Sequence, residues 1–503
     1  MSKMPKNFNR LALLLILIAA VGLRLVAIST RPIWYDEAFA VLFAEKGMQA
    51  MLAGTLTQVG GSAADVHPLA YYGLLNAWMS LFSQSLTAIR MLSVLLGVCT
   101  ILVIYIFSRE LAGERMALAS ALLMALSPFQ IHYAQEIRMY ALLVLLLAMA
   151  TLALWLGLRK GGWYWWGLFS ISGALAQYTH NLAVFYILPL ALTPIFHKNW
   201  RAVRNVVISC LVAVALYMPW LLQLPSQFEK VRQSYWTTSP GFARLATTLI
   251  SFTTNLPLPA AWLPVGLFIA LFLVVLAAWQ TIKAYRHKLP QAATGIWLSY
   301  LVFAPIFLLF VFSQWQPVYI ERGLIASGAM FLVWLAWVMT ETKKPHLVQG
   351  LFVLLLIIGF ALGYYQHIYY DGFPYGRYAE MARYLRSSIT PQDVVLHSNK
   401  LTMFPAHYYD RTLPQEYIQD IPGSGSDTLA LPTQKALGLF ARSDSEDGVR
   451  GAKNVWFVIF KKELDEYRAL GYATHPHLEW LEKNYQLDRL EDWGEITIYV
   501  FSR

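Results

Sequence analysis

Two adjacent acids, Asp36 and Glu37, follow the first apolar segment of the chain, in the sequence Arg-Pro-Ile-Trp-Tyr-Asp-Glu-Ala-Phe at 31–39. An uncompensated charge in the hydrocarbon of a bilayer is costly, so acids beside such a segment are functional candidates. A positioned carboxylate can take the proton from a hydroxyl nucleophile and accelerate its attack by ~10²–10⁴-fold. The pair therefore predicts general-base chemistry at a membrane boundary. The alternative is a structural role, in which the acids stabilise the start of a helix at 36–52.

Further polar residues are placed beside apolar segments. They are Asp65 and His67 in Asp-Val-His-Pro, His132, Gln135, Glu136, Arg138 and Tyr140 within 127–140, Arg90, His180, and Arg322 after Glu321. The three histidines could bind substrate or, with Asp36 and Glu136, a divalent cation. No two of them have the spacing of metal ligands on one helix. We therefore predict interfacial hydrogen bonding and no obligatory metal, with a divalent cation allowed.

The composition is that of an integral membrane protein. Of 503 residues, 57% are hydrophobic and 14% are charged, with a mean hydropathy of +0.47, whereas soluble domains carry about 25% charged residues. Residues 366–503 contain 15 Lys and Arg against 19 Asp and Glu, and residues 1–365 contain 24 against 10. The sequence thus predicts a basic membrane domain, 1–365, and a mildly acidic soluble domain, 366–503. The basic pI follows from membrane topology and does not indicate nucleic-acid binding.

Apolar segments long enough to cross a bilayer predict about eleven transmembrane helices. They are 11–29, 89–108, 116–131, 139–158, 163–178, 182–197, 202–222, 261–281, 294–312, 323–340 and 347–365. The Lys and Arg bias of the short loops places the N-terminus in the cytoplasm and the C-terminal domain outside the cell (inner) membrane. A cleaved signal peptide is the alternative for 11–29.

The two predicted regions outside the spans have different characters. The first outer loop, 30–88, contains an aromatic segment at 67–82 that predicts an interfacial helix. The C-terminal domain predicts strands at 394–397, 455–460 and 496–501, helices at 375–388 and 461–485, and a flexible stretch at 422–428. It is therefore expected to be a small α/β domain.

At these residues the chain resembles the polyprenyl-phosphate-sugar-dependent glycosyltransferases of the GT-C fold. The resemblance is to the dolichyl-phosphate-mannose–protein mannosyltransferase superfamily, including bacterial and archaeal members. It rests on Asp36-Glu37, Asp65-x-His67-Pro68, Ser127-Pro128, Gln135-Glu136-x-Arg138-Met-Tyr140 and Tyr178-Thr-His180, within residues 10–200. Two positions depart from the family pattern: Gly323 follows Arg322 where tyrosine is common, and Leu69 follows Pro68 where a second proline is common.

The resemblance implies an inverting transfer from a polyprenyl-phosphate sugar to a lipid, glycan or protein hydroxyl. Asp36 would be the general base, with Glu37 as its helper or alternative. Asp65, His67, His132, Gln135, Glu136, Tyr140 and His180 would bind substrate.

A lipid phosphate leaving group requires positive charge, and arginine matches phosphate oxygens with two hydrogen bonds. The candidates are Arg90, Arg138, Arg322 and, in a predicted outer loop at 223–260, Lys230 and Arg232. Structural pairing with Asp65 or Glu136, or contact with lipid headgroups, is the alternative for Arg90 and Arg138.

Two other functions remain open on the sequence alone. A transporter or flippase also has many spans, but it would place charges near the middle of the membrane. A polymerase or ligase would use pyrophosphate-linked glycans. Neither a Walker loop nor a Rossmann glycine motif occurs in the sequence, which disfavours a nucleotide-sugar donor.

Overall fold

The computed structural model describes residues 6–196, 199–234, 237–421 and 426–503. Of the stretch predicted to be flexible, 422–428, residues 422–425 lie outside these ranges. The helices before the C-terminal domain are α1 (Lys6–Leu25), α2 (Tyr35–Ala44), α3 (Gly47–Leu56), α4 (Ala70–Leu81), α5 (Leu86–Ala112), α6 (Glu114–Leu126), α7 (Pro128–Gln135), α8 (Tyr140–Lys160), α9 (Trp163–Thr179), α10 (Val184–Phe196), α11 (Trp200–Leu221), α12 (Leu224–Ser234), α13 (Ala243–Thr254), α14 (Leu263–Arg286), α15 (Ala292–Phe312), α16 (Ile325–Glu341) and α17 (His346–Tyr369). Short 3₁₀ helices precede α10, α14 and α16, and a small hairpin, β1 (Gln58–Val59) with β2 (Ser62–Ala63), follows α3.

The prediction of a polytopic helical membrane protein is confirmed. Within the described ranges, eight helices are long and apolar enough to cross a membrane, and nine if the bent pair α6 and α7 counts as one span. The prediction of eleven was higher because it counted α9 and α10, which are helical at the predicted places but only 17 and 13 residues long.

The bend between α6 and α7 has a local cause in the sequence. The two helices meet at 58°. Ser127 caps α7, its hydroxyl accepting a hydrogen bond from the backbone N–H of Gln130 at 3.4 Å, and Pro128 is the first residue of the helix. Serine at the cap and proline at the first position both favour a new helix start. The polar segment 136–139 therefore lies between the short helix α7 and the long helix α8.

Both predicted outer loops are largely helical. The region 30–88 contains α2, α3 and α4, and α4 corresponds to the helix predicted at 67–82. The region 223–260 contains α12 and α13, two helices that were not predicted, and its position as an outer loop between spans stays a prediction. The sequence of α13 is rich in serine and threonine and therefore did not indicate a helix. In the structure several of these hydroxyls donate to backbone carbonyls three or four residues earlier, so their hydrogen bonds are made within the helix.

The C-terminal region is an α/β domain, as predicted. Its elements are α18 (Tyr378–Ser388), β3 (Asp393–His397), α19 (Lys400–Tyr409), β4 (Gln415–Ile418), α20 (Leu431–Leu437), β5 (Ala441–Arg442), α21 (Ser445–Val449), β6 (Asn454–Phe460), α22 (Lys461–Ala469), α23 (Pro476–Asn484), β7 (Gln486–Trp493) and β8 (Ile496–Ser502). The strand order is β5-β4-β3-β6-β8-β7, with the first four parallel and β8 antiparallel to both of its neighbours. One apolar cluster contains Val395 and Val458, and a second contains Leu396 and Phe457.

The three predicted strands are confirmed as β3, β6 and β8, whereas β4, β5 and β7 were missed. The strand β7, Gln-Leu-Asp-Arg-Leu-Glu-Asp-Trp, is mostly exposed and has too little apolar character to be recognised as a strand. The helix predicted at 461–485 is two helices, α22 and α23. Gly471 has a φ of +93° and Pro476 begins α23, so these two residues separate them.

The chain forms two compact units, and the boundary does not follow the sequence simply. The membrane unit consists of Met1–Ser29, His67–Leu224 and Thr237–Tyr369. The tail unit consists of Thr30–Val66, Pro225–Trp236 and Tyr370–Arg503. The domain boundary predicted at 365 stays a prediction, but α2, α3 and α12 belong to the tail unit.

Candidate functional site

The acid pair lies in the first turn of α2, in the tail unit. Trp34 occupies the cap position with extended backbone, and its side chain makes no capping hydrogen bond. Asp36 and Glu37 therefore do not act as N-caps, although their negative charge is favourable at a helix N-terminus. The pair is divided by burial: Glu37 is 2% exposed, whereas Asp36 is partly exposed. Asp36 is thus the more accessible of the two carboxylates.

Contacts within the tail unit fix the position of α2 against α19. The ring of Phe404 lies 5.5 Å from that of Tyr35 and stacks on that of Phe39 at 6.5 Å. Just after the end of α2, Glu45 accepts two hydrogen bonds from Arg411, at 2.7 and 3.1 Å. The helix that carries Asp36 is therefore held by both aromatic and ionic contacts.

The surroundings of Tyr35 are strongly acidic. Burial raises the pKa of Tyr35 well above its usual value, and the nearby carboxylates of Asp36, Asp427 and Asp65 raise it further. Asp65 is oriented locally, since its carboxylate accepts a hydrogen bond from the backbone N–H of Val66 at 2.6 Å. Tyr35 therefore remains neutral beside the predicted base.

In the membrane unit, a second group of predicted residues comes together around Arg138. Its guanidinium donates to the hydroxyl of Tyr72 at 3.2 Å and lies 3.4 Å from Nε2 of His67. The guanidinium of Arg322 lies over the ring of Tyr140, 5.5 Å from its centroid. The hydrogen bond to Tyr72 helps to orient Arg138, and the cation–π contact with Tyr140 helps to orient Arg322.

His180 joins this group as a neutral side chain. The ring lies 5.9 Å from that of Tyr140, and Nδ1 accepts a hydrogen bond from the backbone N–H of Leu182 at 3.1 Å. Burial, followed by electrostatic interaction with His67, Arg138 and Arg322, lowers the pKa of His180 to about 3. His180 is therefore uncharged at physiological pH, with Nε2 carrying its proton.

Other predicted residues of the membrane unit contact backbone around the end of α1. Gln135 donates to the carbonyl oxygens of Arg24 and Val26, at 2.7 and 2.8 Å. Arg90 is 1% exposed and donates to the carbonyl of Ile28 at 2.9 Å. Ser93 donates to the backbone carbonyl of Glu136 at 2.7 Å. These contacts give the residues an architectural part, and their predicted substrate and phosphate contacts stay predictions.

Two polar partners were missed from the sequence. Asn255 lies 2.9 Å from Nδ1 of His132, and His367 lies 2.6 Å from Oε1 of Gln135. The rings of His132 and His367 are 4.7 Å apart. The sequence signal that could have identified such a partner is an isolated polar residue at the end of an apolar helix, such as His367 in α17.

Lys230 and Arg232 both lie on α12, in the tail unit. Lys230 is 3.3 Å from Asp427, and Arg232 is 3.0 Å from Glu229 on the same helix. The side chain of Arg232 is 73% exposed, which weakens its case as a phosphate ligand, whereas that of Lys230 is 21% exposed. Among the residues with described positions, no group of three or more His, Cys, Asp and Glu could hold a metal ion.

Comparison with known proteins identifies the fold. Residues 66–222 match the family model of dolichyl-phosphate-mannose-protein mannosyltransferases. No curated protein sequence matches the chain.

Solved structures resemble the chain over almost its whole length. ArnT from Cupriavidus metallidurans in its apo state superimposes with a TM-score of 0.61 at 13% identity, covering 97% of each chain. The same protein bound to undecaprenyl phosphate gives 0.60 at 13% identity, again over 97% of each chain. The oligosaccharyltransferase AglB from Archaeoglobus fulgidus, with an inhibitory peptide and a dolichol-phosphate, gives 0.54 at 14% identity, over 99% of this chain and 74% of that one. The chain therefore has the GT-C fold, and the matched family model and the structural neighbours are those of glycosyltransferases.

Proposed function

We propose that this protein transfers a sugar from a polyprenyl-phosphate donor to a hydroxyl of a lipid, glycan or protein acceptor, with inversion. The reaction would take place on the extracytoplasmic face of the cell (inner) membrane, where the C-terminal domain also lies, and the N-terminus would be cytoplasmic. The observation that carries the proposal is the accessible Asp36 carboxylate at the start of α2, within a GT-C fold. The undecaprenyl phosphate bound to ArnT and the dolichol-phosphate bound to AglB support the class of donor.

Asp36 would act as the general base. It takes the proton of the acceptor hydroxyl while the acceptor oxygen bonds to the anomeric carbon and the bond from that carbon to the phosphate oxygen breaks. Attack from the side opposite the leaving group inverts the anomeric configuration. Glu37, which is buried on the same helix turn, would be its helper or the alternative base.

Arg138 and Arg322 would stabilise the phosphate leaving group. Their charges are oriented by Tyr72 and Tyr140, and both stand close enough to His180 to lower its pKa. The neutral His180 would hydrogen-bond sugar hydroxyls without competing for the phosphate. Arg90 is better suited to holding the end of α1, because it is fully buried against a backbone carbonyl.

The test uses a gene deletion, because the lost product itself reveals the sugar and the acceptor. The deletion strain is complemented with the wild-type gene, with Asp36→Asn or with Glu37→Gln, and envelope glycolipids and glycoproteins are compared by mass spectrometry. The product should disappear in the deletion strain and return with the wild type. Transfer by purified Asp36→Asn should be slower by ~10²–10⁴-fold.

Two results would contradict the proposal. Undiminished turnover by Asp36→Asn would remove the proposed base. Counterflow of a labelled solute by the purified protein, without any covalent product, would instead favour a transporter. The orientation is tested separately by a reporter fused after Arg503, which should be active only outside the cytoplasm.

A further inference from the structure

Lys400 lies at the carboxyl edge of the parallel strands in the tail unit. It is the first residue of α19, which follows β3 and is capped by Asn399, whose side chain accepts from the backbone N–H of Leu401 at 2.8 Å. Asp420 lies two residues after β4, the neighbour of β3. Ligands of open α/β sheets bind outside the carboxyl ends of the strands, so this edge is where a binding site is expected.

The ammonium group of Lys400 is buried and incompletely satisfied. Its side chain is 4% exposed, and Nζ makes no hydrogen bond within the described residues. Two carboxylates lie just beyond hydrogen-bond distance, Asp427 at 3.5 Å and Asp420 at 3.6 Å, and the ring of Tyr35 lies 5.8 Å away. An ammonium has three N–H donors, and burying it without strong acceptors is costly. A closer acceptor would therefore be bound readily here.

Asp427 joins Lys400 to a second lysine. Its Oδ1 faces Lys400 at 3.5 Å, while its Oδ2 faces Lys230 of α12 at 3.3 Å. The carboxylate thus bridges two ammonium groups, one oxygen to each, as two oxygens of a phosphate group would. The Asp427 side chain is 46% exposed, in contrast to 4% for Asp420. Asp420 is fixed in the site, whereas Asp427 can be displaced into solvent.

Charge determines what can take its place. Without Asp427, the ammonium groups of Lys230 and Lys400 would both face its vacated position, which favours an anion there. A phosphate group supplies both the charge and two acceptor oxygens in the arrangement that Asp427 now provides. Phosphate oxygens also make charge-assisted hydrogen bonds with lysine.

We propose that Lys230 and Lys400 form a phosphate-binding site, which Asp427 occupies as a tethered carboxylate until a phosphate displaces it. The inference deepens the proposed function and rests on it, because the phosphate would belong either to the polyprenyl carrier or to the headgroup of a phosphorylated acceptor. The site itself lies within the tail unit, so it can be tested without turnover.

The experiment measures equilibrium binding to the purified full-length protein in detergent. The probes are undecaprenyl phosphate, undecaprenol as the same lipid without phosphate, and glucose 1-phosphate as a water-soluble phosphate. We expect Lys400→Met and Lys230→Met each to weaken phosphate binding about tenfold or more, and Asp427→Asn to strengthen it about tenfold. Undecaprenol binding should be the same for all three variants.

Matched controls separate the site from general charge effects. Lys435→Met removes an exposed lysine of α20, and Asp465→Asn removes an aspartate whose side chain is 73% exposed. Neither should change binding. A response only to undecaprenyl phosphate would assign the site to the lipid carrier, and a response to glucose 1-phosphate would assign it to a headgroup phosphate.

The proposal is overturned if Asp427→Asn and Lys230→Met bind both phosphates with wild-type affinity. These two variants replace partly exposed side chains, so the test does not depend on whether Lys400→Met folds. Asp36→Asn should bind the probes normally. Phosphate binding that persists while transfer is absent would distinguish a failure of the proposed function from a failure of this site.

Discussion

The stability of the tail unit should depend on pH through one buried histidine. His397, at the end of β3, is 0% exposed. Its Nε2 lies 3.0 Å from Oε1 of Gln415, and its Nδ1 lies 3.1 Å from the hydroxyl of Thr402. These partners suit a neutral ring, in which Nε2–H donates to Gln415 and Nδ1 accepts from Thr402. Burial lowers the pKa of His397 to about 3, and the hydrogen bond to Gln415 acts in the opposite direction.

The sign follows from proton uptake by the unfolded state. Below its ordinary pKa of 6.5 an unfolded His397 binds a proton, whereas the folded residue does not until the pH approaches 3. The folded state therefore loses stability as pH falls through this window, by at most about 1.4 kcal/mol per pH unit. Between pH 7 and pH 5 the loss is about 2 kcal/mol, which corresponds to roughly a 25-fold change in the opening equilibrium.

Hydrogen exchange followed by mass spectrometry measures this opening in the full-length protein. Protection of β3, after correction for the intrinsic pH dependence of exchange, should fall by at least that amount between pH 7 and pH 5. His397→Gln keeps a donor and an acceptor but does not titrate, so its protection should fall less, by the His397 contribution. His407 and His477, whose pKa values are also lowered, contribute equally to both proteins.

A second replacement controls for the change of side chain. His287→Gln alters an exposed histidine in the membrane unit and should leave the exchange of β3 unchanged. Parallel loss of protection in the wild type and in His397→Gln would refute the reasoning, because it would show that His397 takes up its proton without cost.

Two further predictions concern the membrane unit. A Cβ on Gly363 would overlap the carbonyl oxygen of Thr254, so Gly363→Ala should lower the stability of the protein by about 1–3 kcal/mol or more, measured as thermal unfolding in detergent. The control is Gly350→Ala, because no atom lies within 4 Å of the added methyl group. Equal stability of the two variants would contradict the close packing at Gly363. Arg138→Lys keeps the charge but loses the planar fork, so the donor KM should rise about tenfold while kcat changes less; an unchanged KM would show that Arg138 does not bind the donor phosphate.

Local sequence patterns predicted the helices and the C-terminal α/β domain because periodicity and hydropathy are properties of short segments. Gly471 and Pro476 could have been recognised as the break between α22 and α23. The packing of Phe39 on Phe404 could not have been predicted, because the two residues are distant in sequence and a local pattern does not show which residue each of them contacts. Single charged residues identified Asp36 and Arg138 as candidates. The difference in burial between Asp36 and Glu37 depends on contacts with residues distant in sequence, which only the folded structure shows.

The contact between α2 and α19 also constrains the order in which the protein can fold. Residue 36 is made early, but its binding partners in the tail unit are synthesised more than three hundred residues later. Because domains generally fold as units during synthesis, α2 reaches its packed position only after the intervening helices have formed. The proposed base would then be among the last parts of the chain to reach its final position. A nascent or truncated chain lacking the C-terminal region would have its membrane helices but no positioned Asp36, so synthesis of the tail would itself control when activity begins.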